Sequence, residues 1–264
     1  MVIKITESCH MGCSHCMSNC VPCDRHMTEK TFRDVLEFVK SHEPGCLLTD
    51  NIISGGEPSE HPEFLKFVEI YFDTIGKDSN LYITTNGQWI LENPEKAHEL
   101  LDKYPNLKYQ VTYEKEYYPK KLDITKRVLR HKRIEFATNI QIYPMGRARS
   151  NNIKVSEAHV ATKCFNLILL ANQYNSFQEV INGLRAAQKT CIPAINYDGT
   201  FSFGESDLCP RCCSIYDSDE VIYDKLKNFT CNECPSELWN KGIDRLAFVK
   251  PSLYLKFKEA RKQL

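Results

Sequence analysis

The chain has 264 residues, with 34 Lys and Arg against 34 Asp and Glu, so its net charge is zero with histidine neutral. That balance excludes a global field that would draw the protein to nucleic acid or to an acidic membrane. No apolar run reaches 18 residues and the first residues lack the apolar stretch of a signal peptide, so the sequence predicts a cytoplasmic protein without a membrane segment.

The first two-thirds of the sequence alternates short apolar runs with helical patterns. Strands are predicted at 2–6, 50–54, 80–85, 107–113 and 133–144. Helices are predicted at 28–42 with Thr28 as the N-cap, at 62–75, near 93–104 and at 121–131. The alternation predicts a parallel sheet with outer helices, curled into a full or partial barrel with the chemistry at the carboxyl ends of the strands.

The last third has a different character. Residues 176–190 have a helical pattern, whereas the segment from residue 191 to residue 213 reads "CIPAINYDGTFSFGESDLCPRCC". The Asp198–Gly199 pair is a strong turn signal and predicts a β-hairpin. A cysteine-rich loop is expected after the hairpin.

Thirteen cysteines are many for a chain of this length, and their number is odd. Five lie within residues 9–23 and six within residues 191–234. Metal or redox chemistry at two sites is therefore a better interpretation than a disulfide framework.

The first cluster begins with the pattern C-x3-C-x2-C, formed by Cys9, Cys13 and Cys16 directly after the first predicted strand. Three thiolates are one ligand short of a closed tetrahedral site. On a short loop they can hold three irons of a [4Fe–4S] cube and leave the fourth iron open to a small bidentate molecule. Simple burial of these cysteines as small apolar side chains is disfavoured, because the residues between them are mostly polar.

Three further motifs follow in order: "SGGEP" at 54–58, "TTNGQ" at 84–88 and "YPMGRARS" at 143–150. Together with the cysteine triplet they resemble the radical S-adenosylmethionine superfamily, over residues 3–150. The resemblance implies an α/β fold with a partial (β/α)6 barrel. It also implies a [4Fe–4S] cluster on the three cysteines and S-adenosylmethionine (AdoMet) as the second cofactor, cleaved reductively to a 5′-deoxyadenosyl radical that abstracts a substrate hydrogen.

The same resemblance implies a set of cofactor-binding residues: Gly55, Gly56, Glu57, Thr85, Asn86 and Arg147. The two glycines permit close approach of the backbone, and Glu57 can pair with the ammonium group of the cofactor. Arg147 is expected to contact either the cofactor carboxylate or a helix end.

The C-terminal cysteines allow two assignments. Cys209-x2-Cys212 with Cys231-x2-Cys234 has the spacing of a zinc ribbon. The alternative resembles the short auxiliary domain called Twitch, related to SPASM, in which Cys191, Cys209, Cys231 and Cys234 hold a second [4Fe–4S] cluster. In that case Cys212 and Cys213 are substitute ligands, a hydrogen donor or packing residues.

The resemblance favours the auxiliary cluster and implies three regions: a barrel at 1–186, a small cysteine-rich auxiliary cluster domain at 187–240 and a helical tail at 241–264. Cys20 and Cys23 depart from the family pattern. They form either an additional metal or redox site or a spare pair in a loop.

An enzyme that modifies a peptide or protein is the leading expectation. A small-molecule dehydrogenase of the same family, or a zinc or iron–sulfur binding module without catalysis, is the alternative. The resemblance implies an external electron donor such as flavodoxin or ferredoxin. Because Cys9 lies so near the start, a leader-binding domain, if required, is expected to be a separate protein.

Overall fold

Eight strands form a single sheet in the computed structural model of the chain. In chain order they are β1 (Val2–Thr6), β2 (Asn51–Gly55), β3 (Leu81–Thr85), β4 (Leu107–Val111), β5 (Ile134–Phe136), β6 (Pro193–Ile195), β7 (Thr200–Phe203) and β8 (Arg211–Ser214). The structure describes residues 1–42, 51–123, 126–137, 142, 145–153, 193–204, 206, 209–228, 252, 255 and 259.

Across the sheet the order is β5-β4-β3-β2-β1-β6-β7-β8. Neighbouring strands from β5 to β6 run parallel, whereas β7 is antiparallel to β6 and β8 is antiparallel to β7. The predicted α/β fold with a mostly parallel sheet is confirmed.

Among the described residues, five helices come between strands in chain order and one follows the last strand. They are α1 (Glu29–Ser41), α2 (Phe64–Ile75), α3 (Gln88–Glu92), α4 (Pro94–Lys103), α5 (Gly146–Ser150) and α6 (Asp219–Asn228), with 3-10 turns at Pro58–Glu60 and Arg127–Arg130. The predicted N-cap of α1 is confirmed, because the Thr28 hydroxyl accepts a hydrogen bond from the Thr31 backbone N–H at 3.1 Å.

The main core lies between the sheet and these helices. Ile3 and Ile5 of β1 are fully buried there, together with Phe32 of α1 and Phe67 of α2, whose rings stack at 4.3 Å. Side chains alternate along a strand, so Lys4 lies on the opposite face of β1, and it is buried too. Both faces of β1 are therefore covered, including the face that carries Lys4 and Thr6.

The predicted hairpin is confirmed. Pro193–Ile195 and Thr200–Phe203 pair around the turn at Asp198 and Gly199, where Gly199 has φ +80°. The prediction of a cysteine-rich loop after the hairpin is wrong at 211–214. This segment is strand β8, which pairs with β7 and begins directly after Pro210. Proline is well tolerated ahead of a strand because no ladder hydrogen bond is required of it there.

Two more predictions need correction. The helix at 121–131 is wrong, since the described residues there form only the turn Arg127–Arg130. Lys126 and Arg130 would carry like charges one helical turn apart, which disfavours an α-helix. The strand predicted at 133–144 is β5, which ends at Phe136, and the helix predicted at 176–190 lies outside the described residues.

No helix in the described parts of the chain is long and apolar enough to cross a membrane.

Candidate active site

The cysteine triplet lies on the loop that leaves the carboxyl end of β1. Cys9, Cys13 and Cys16 all line one pocket at this edge of the sheet. The loop backbone turns sharply within the triplet: the Cys16 N–H donates to the Cys13 carbonyl at 3.2 Å, and Gly12 has φ +67°. The loop thus brings all three cysteines to the same cavity.

The rest of the pocket comes from the carboxyl ends of the neighbouring strands and from α5. Its lining includes Ser54, Gly55, Gly56, Glu57, Thr84, Thr85, Asn86, Thr112, Tyr118 and Arg147. Since β1, β2, β3 and β4 are adjacent and parallel, their carboxyl ends meet at one edge. The structure therefore brings together all the residues that were expected to bind the first cluster and its cofactor.

Gly55 and Gly56 are required by the contact between β1 and β2. A Cβ atom on Gly55 would overlap the Thr6 carbonyl, and one on Gly56 would overlap the Ser8 carbonyl. The Gly56 N–H donates to the Thr6 carbonyl at 2.8 Å, and the Glu57 N–H donates to the Ser8 carbonyl at the same distance. The close approach that these glycines permit is thus made to the start of the cysteine loop.

The Glu57 carboxylate is 3% exposed and is held by donors from two segments. Oε1 accepts from the Ser59 hydroxyl at 2.7 Å and from the Thr85 hydroxyl at 2.8 Å, while Oε2 accepts from the Asn86 N–H at 2.7 Å. Burial raises the pKa of Glu57, and these hydrogen bonds counteract that effect. The result is an oriented acceptor in the pocket wall that can receive an ammonium group.

Arg147 fastens α5 to the cysteine loop. Its Nε donates to the Cys13 carbonyl at 2.8 Å and its Nη1 donates to the Cys20 carbonyl at 2.7 Å. The preceding Gly146, with φ +53°, lies so close to the loop that a Cβ atom would be 2.5 Å from the Cys16 carbonyl oxygen. The guanidinium thus binds loop carbonyls and also lines the pocket, where a contact with the cofactor carboxylate stays a prediction.

The surroundings of the pocket thiols shift their pKa values. Burial raises the pKa of Cys9 to about 11 and that of Cys13 to about 12. Cys9 and Cys16 add to the effect at Cys13, which indicates that the three sulfurs are near one another. Three buried thiolates are unfavourable unless cations compensate for them, and the irons of a cluster supply that compensation.

The donor set therefore fits a [4Fe–4S] cluster. Within the described residues, no three His, Cys, Asp or Glu side chains converge closely enough to hold a single metal ion. In a cube each cysteine binds a different iron, so the sulfurs need not meet at one point. The chain supplies three ligands and places Glu57 and Arg147 at the same pocket.

Several pocket residues were missed in the sequence. Thr112 and Tyr118 follow β4 and line the pocket, with their hydroxyls 3.4 Å apart. His15 lies 5.1 Å from the ring of Tyr117, measured between ring centroids, and burial lowers the pKa of His15 to about 4. No motif marks Thr112 or Tyr118, whereas His15 lies within the cysteine triplet itself.

Cys20 and Cys23, the two further cysteines near the triplet, have different surroundings in the structure. Cys20 is buried and lines the pocket; its thiol donates to the Ser18 carbonyl at 3.6 Å, and its interaction with Cys16 lowers the pKa of the Cys16 thiol. Cys23 is half-buried, and its N–H donates to the Ser8 hydroxyl at 3.3 Å. Cys20 is thus part of the first cysteine site.

Three of the four expected auxiliary ligands, Cys191, Cys231 and Cys234, lie outside the described residues. Cys209 is half-buried beside Gly204 in the segment that follows β7. That segment contacts the first cysteine loop, because the Ser206 hydroxyl donates to the Met17 carbonyl at 3.0 Å.

Cys212 and Cys213 lie in β8. Cys213 is 7% exposed and packs in the main core, and the two sulfurs are 3.6 Å apart. Burial raises the pKa of both thiols. Packing thus accounts for the position of Cys213.

The fold and the site define an α/β protein with a mostly parallel sheet and a cysteine-lined pocket at the carboxyl edge of that sheet. The family model described as Radical SAM superfamily matches residues 3–142, and the chain belongs to this superfamily. Its members are enzymes that use a [4Fe–4S] cluster and AdoMet.

Two solved structures show the same fold at low identity. BtrN in complex with AdoMet and 2-DOIA is 13% identical with a TM-score of 0.51, covering 90% of this chain and 85% of that chain. Native anSMEcpe with bound AdoMet and Kp18Cys peptide is 15% identical with a TM-score of 0.50, covering 92% and 83%. No curated protein matches the chain.

Proposed function

We propose that this chain cleaves AdoMet reductively and abstracts a hydrogen atom from a peptide or protein substrate. One observation carries the proposal: Cys9, Cys13 and Cys16 share a pocket with Glu57 and Arg147, so one cavity contains the ligands for a cluster and the polar groups for its cofactor. Cys9, Cys13 and Cys16 would hold the cluster and leave one of its irons without a protein ligand, available to AdoMet.

A bound and reduced cluster would supply the electron for reductive cleavage of AdoMet, and hydrogen abstraction from the substrate would follow. The chain binds and orients the reactants. Glu57 accepts from the ammonium group of AdoMet, and Gly55, Gly56, Thr85 and Asn86 form the wall that fixes its position.

Arg147 has two tasks in this proposal. It holds the cysteine loop through the carbonyls of Cys13 and Cys20, and its positive charge offsets part of the negative charge of the thiolates. The guanidinium lowers the pKa of Cys16, in the direction that favours a ligand thiolate.

A second pocket adjoins the first and offers room for a substrate. It is lined by Lys4, Glu7, Ser18, Asn19, Cys20 and Arg25, of which Ser18 and Cys20 also line the first pocket. The structure of anSMEcpe with a peptide supports a peptide substrate. The alternative, a small-molecule dehydrogenase, is favoured by BtrN, whose structure contains 2-DOIA in place of a peptide.

We further propose that Cys191, Cys209, Cys231 and Cys234 hold a second [4Fe–4S] cluster in a Twitch-like domain at 187–240, after a barrel at 1–186 and before a tail at 241–264. The hydrogen bond between Ser206 and Met17 supports this, because it joins the segment around Cys209 to the first cysteine loop. A cluster with four protein ligands has no open iron, so its role is to accept an electron or to support the mouth of the barrel. A low-potential flavodoxin or ferredoxin is the proposed external donor.

The test is reductive AdoMet cleavage by anaerobically reconstituted protein. The wild type should form methionine and 5′-deoxyadenosine slowly without substrate, and the variant with Cys9, Cys13 and Cys16 all changed to alanine should form neither. Undiminished cleavage by that variant would disprove the mechanism. Candidate peptides and small alcohols are then compared by how much each accelerates 5′-deoxyadenosine formation, and acceleration by small alcohols alone would favour the dehydrogenase.

A further inference from the structure

Glu60 binds both chain neighbours of Cys9. Its Oε2 accepts from the Ser8 hydroxyl at 2.8 Å, and its Oε1 accepts from the His10 backbone N–H at 2.6 Å. Oε2 also lies 2.7 Å from Nδ1 of His10. One carboxylate thus holds the residue before and the residue after the first cysteine of the triplet.

Glu60 comes from the segment that also supplies the cofactor pocket. The 3-10 turn Pro58–Glu60 follows Glu57 directly, and the Glu60 N–H donates to the Glu57 carbonyl at 3.0 Å. The turn and the residue before it therefore supply two carboxylates: Glu57 lies in the pocket wall, and Glu60 binds the cysteine loop.

Ser8 is the centre of this arrangement. Its hydroxyl proton is directed to Glu60, which leaves the hydroxyl oxygen to accept from the Cys23 N–H at 3.3 Å. Its carbonyl accepts from the Glu57 N–H at 2.8 Å. Because a serine hydroxyl has one proton, Glu60 fixes the direction of the bond that brings residue 23 to the start of the loop.

We propose that Glu60 is a positioning residue that holds Cys9 in place for the cluster and lowers the reduction potential of that cluster. The proposal rests on the assignment of Cys9 as a cluster ligand. Groups that bind the neighbours of a ligand fix its orientation, and nearby charge and hydrogen bonding tune a cluster's potential. A negative carboxylate disfavours the reduced cluster, which carries one more negative charge.

The side chain of Glu60 is 19% exposed, so solvent screens its charge only in part.

The experiment uses the full chain, reconstituted anaerobically, as wild type, Glu60→Gln, Glu60→Ala and Glu63→Gln. Glu63 is the matched control, because it lies three residues further on and pairs with Lys66 at the surface at 2.7 Å. Two quantities are measured: the retention of iron during exposure to a chelator, and the midpoint potential of the first cluster by EPR-monitored titration without AdoMet.

Glu60→Ala should lose iron at a chelator concentration about 10- to 100-fold lower than the wild type, the usual effect of removing such a supporting group. Glu60→Gln keeps the shape of the side chain and one acceptor oxygen, so it should retain more iron than Glu60→Ala. Its first cluster should have a more positive midpoint potential than that of the wild type. Glu63→Gln should match the wild type in both. His10→Ala should lose iron less readily than Glu60→Ala, because the bonds to Ser8 and to the backbone N–H remain.

The proposal would be overturned if both Glu60 variants matched Glu63→Gln in iron retention and in midpoint potential. Glu60→Gln decides the matter if Glu60→Ala does not fold, because it changes the charge at nearly constant volume. A Cys9→Ala variant with an unchanged first cluster would instead overturn the ligand assignment, and this proposal with it. The two failures are therefore distinguishable.

Discussion

The backbone N–H of Asn86 donates to the Glu57 carboxylate at 2.7 Å and thereby joins the end of β3 to the end of β2. The Thr85 hydroxyl binds the other carboxylate oxygen at 2.8 Å. The two motifs "SGGEP" and "TTNGQ" thus form one polar wall, and Glu57 is oriented by the chain itself.

Changing Glu57 to glutamine should weaken AdoMet binding. A hydrogen bond to a charged group contributes about 1.5–3 kcal/mol, so the Kd should rise about 10- to 150-fold. Equilibrium dialysis of the reconstituted protein measures it. Glu69→Gln is the control, because Glu69 pairs with Lys103 at the surface, and an equal rise in both variants would contradict the assignment of Glu57.

Changing Gly146 to alanine should destabilise the contact between α5 and the cysteine loop. Its Cβ would lie 2.5 Å from the Cys16 carbonyl oxygen, whereas a Cβ on Gly12 would meet nothing within 4 Å. Both glycines have positive φ, so Gly12→Ala includes the backbone strain, about 1–2 kcal/mol, without the clash. The melting temperature of Gly146→Ala should fall further than that of Gly12→Ala, and equal falls would show that the close contact is unimportant.

In metal-free protein, Cys9 and Cys13 should react slowly with iodoacetamide. The thiolate is the reactive form, and raising a thiol's pKa keeps it protonated to higher pH. At pH 8 a pKa of about 11 leaves roughly a hundredth of the thiolate present at the ordinary value of 9.0. Mass spectrometry of alkylated peptides should show Cys9 alkylation accelerating up to about pH 11, while in denaturant the rate levels off above pH 9. Equal rates in folded and unfolded protein would contradict the burial of these thiols.

The reconstituted chain should hold about eight irons, enough for two cubes. Replacing Cys191, Cys209, Cys231 or Cys234 with alanine should lower the iron content while AdoMet cleavage largely survives, and Cys212→Ala and Cys213→Ala should keep both clusters. Cys213→Ala should still lower the melting temperature, because it leaves a cavity in the core. Four irons with one zinc would establish the ribbon instead. Loss of the second cluster in Cys212→Ala, with retention in Cys191→Ala, would show that the ligand assignment is wrong.

The sequence predicted those parts of the fold that have strong local signals. Apolar runs identified β1, β3 and β4, and Asp198–Gly199 identified the hairpin, because burial and turn geometry act over a few residues. The segment at 211–214 misled, since its density of cysteines resembles a ligand loop although its backbone pairs with β7.

The site was predictable as a set of motifs but not as a network of contacts. Glu60 lies 52 residues from Ser8, and only the register of β1 with β2 brings them together. Tyr118 likewise reaches the pocket through a segment without a motif. Such contacts depend on tertiary geometry, which local patterns do not encode.

The place of β1 in the middle of the sheet has a consequence for how the chain is made. Val2 pairs with Ile52 on one side and with Ala194 on the other, so the second partner leaves the ribosome long after the first. Pairings between distant residues form slowly, because the loop between them must close first. A strand whose five residues all become buried thus keeps one edge uncovered through most of synthesis, and this edge is where the nascent chain is most open to pairing with another molecule.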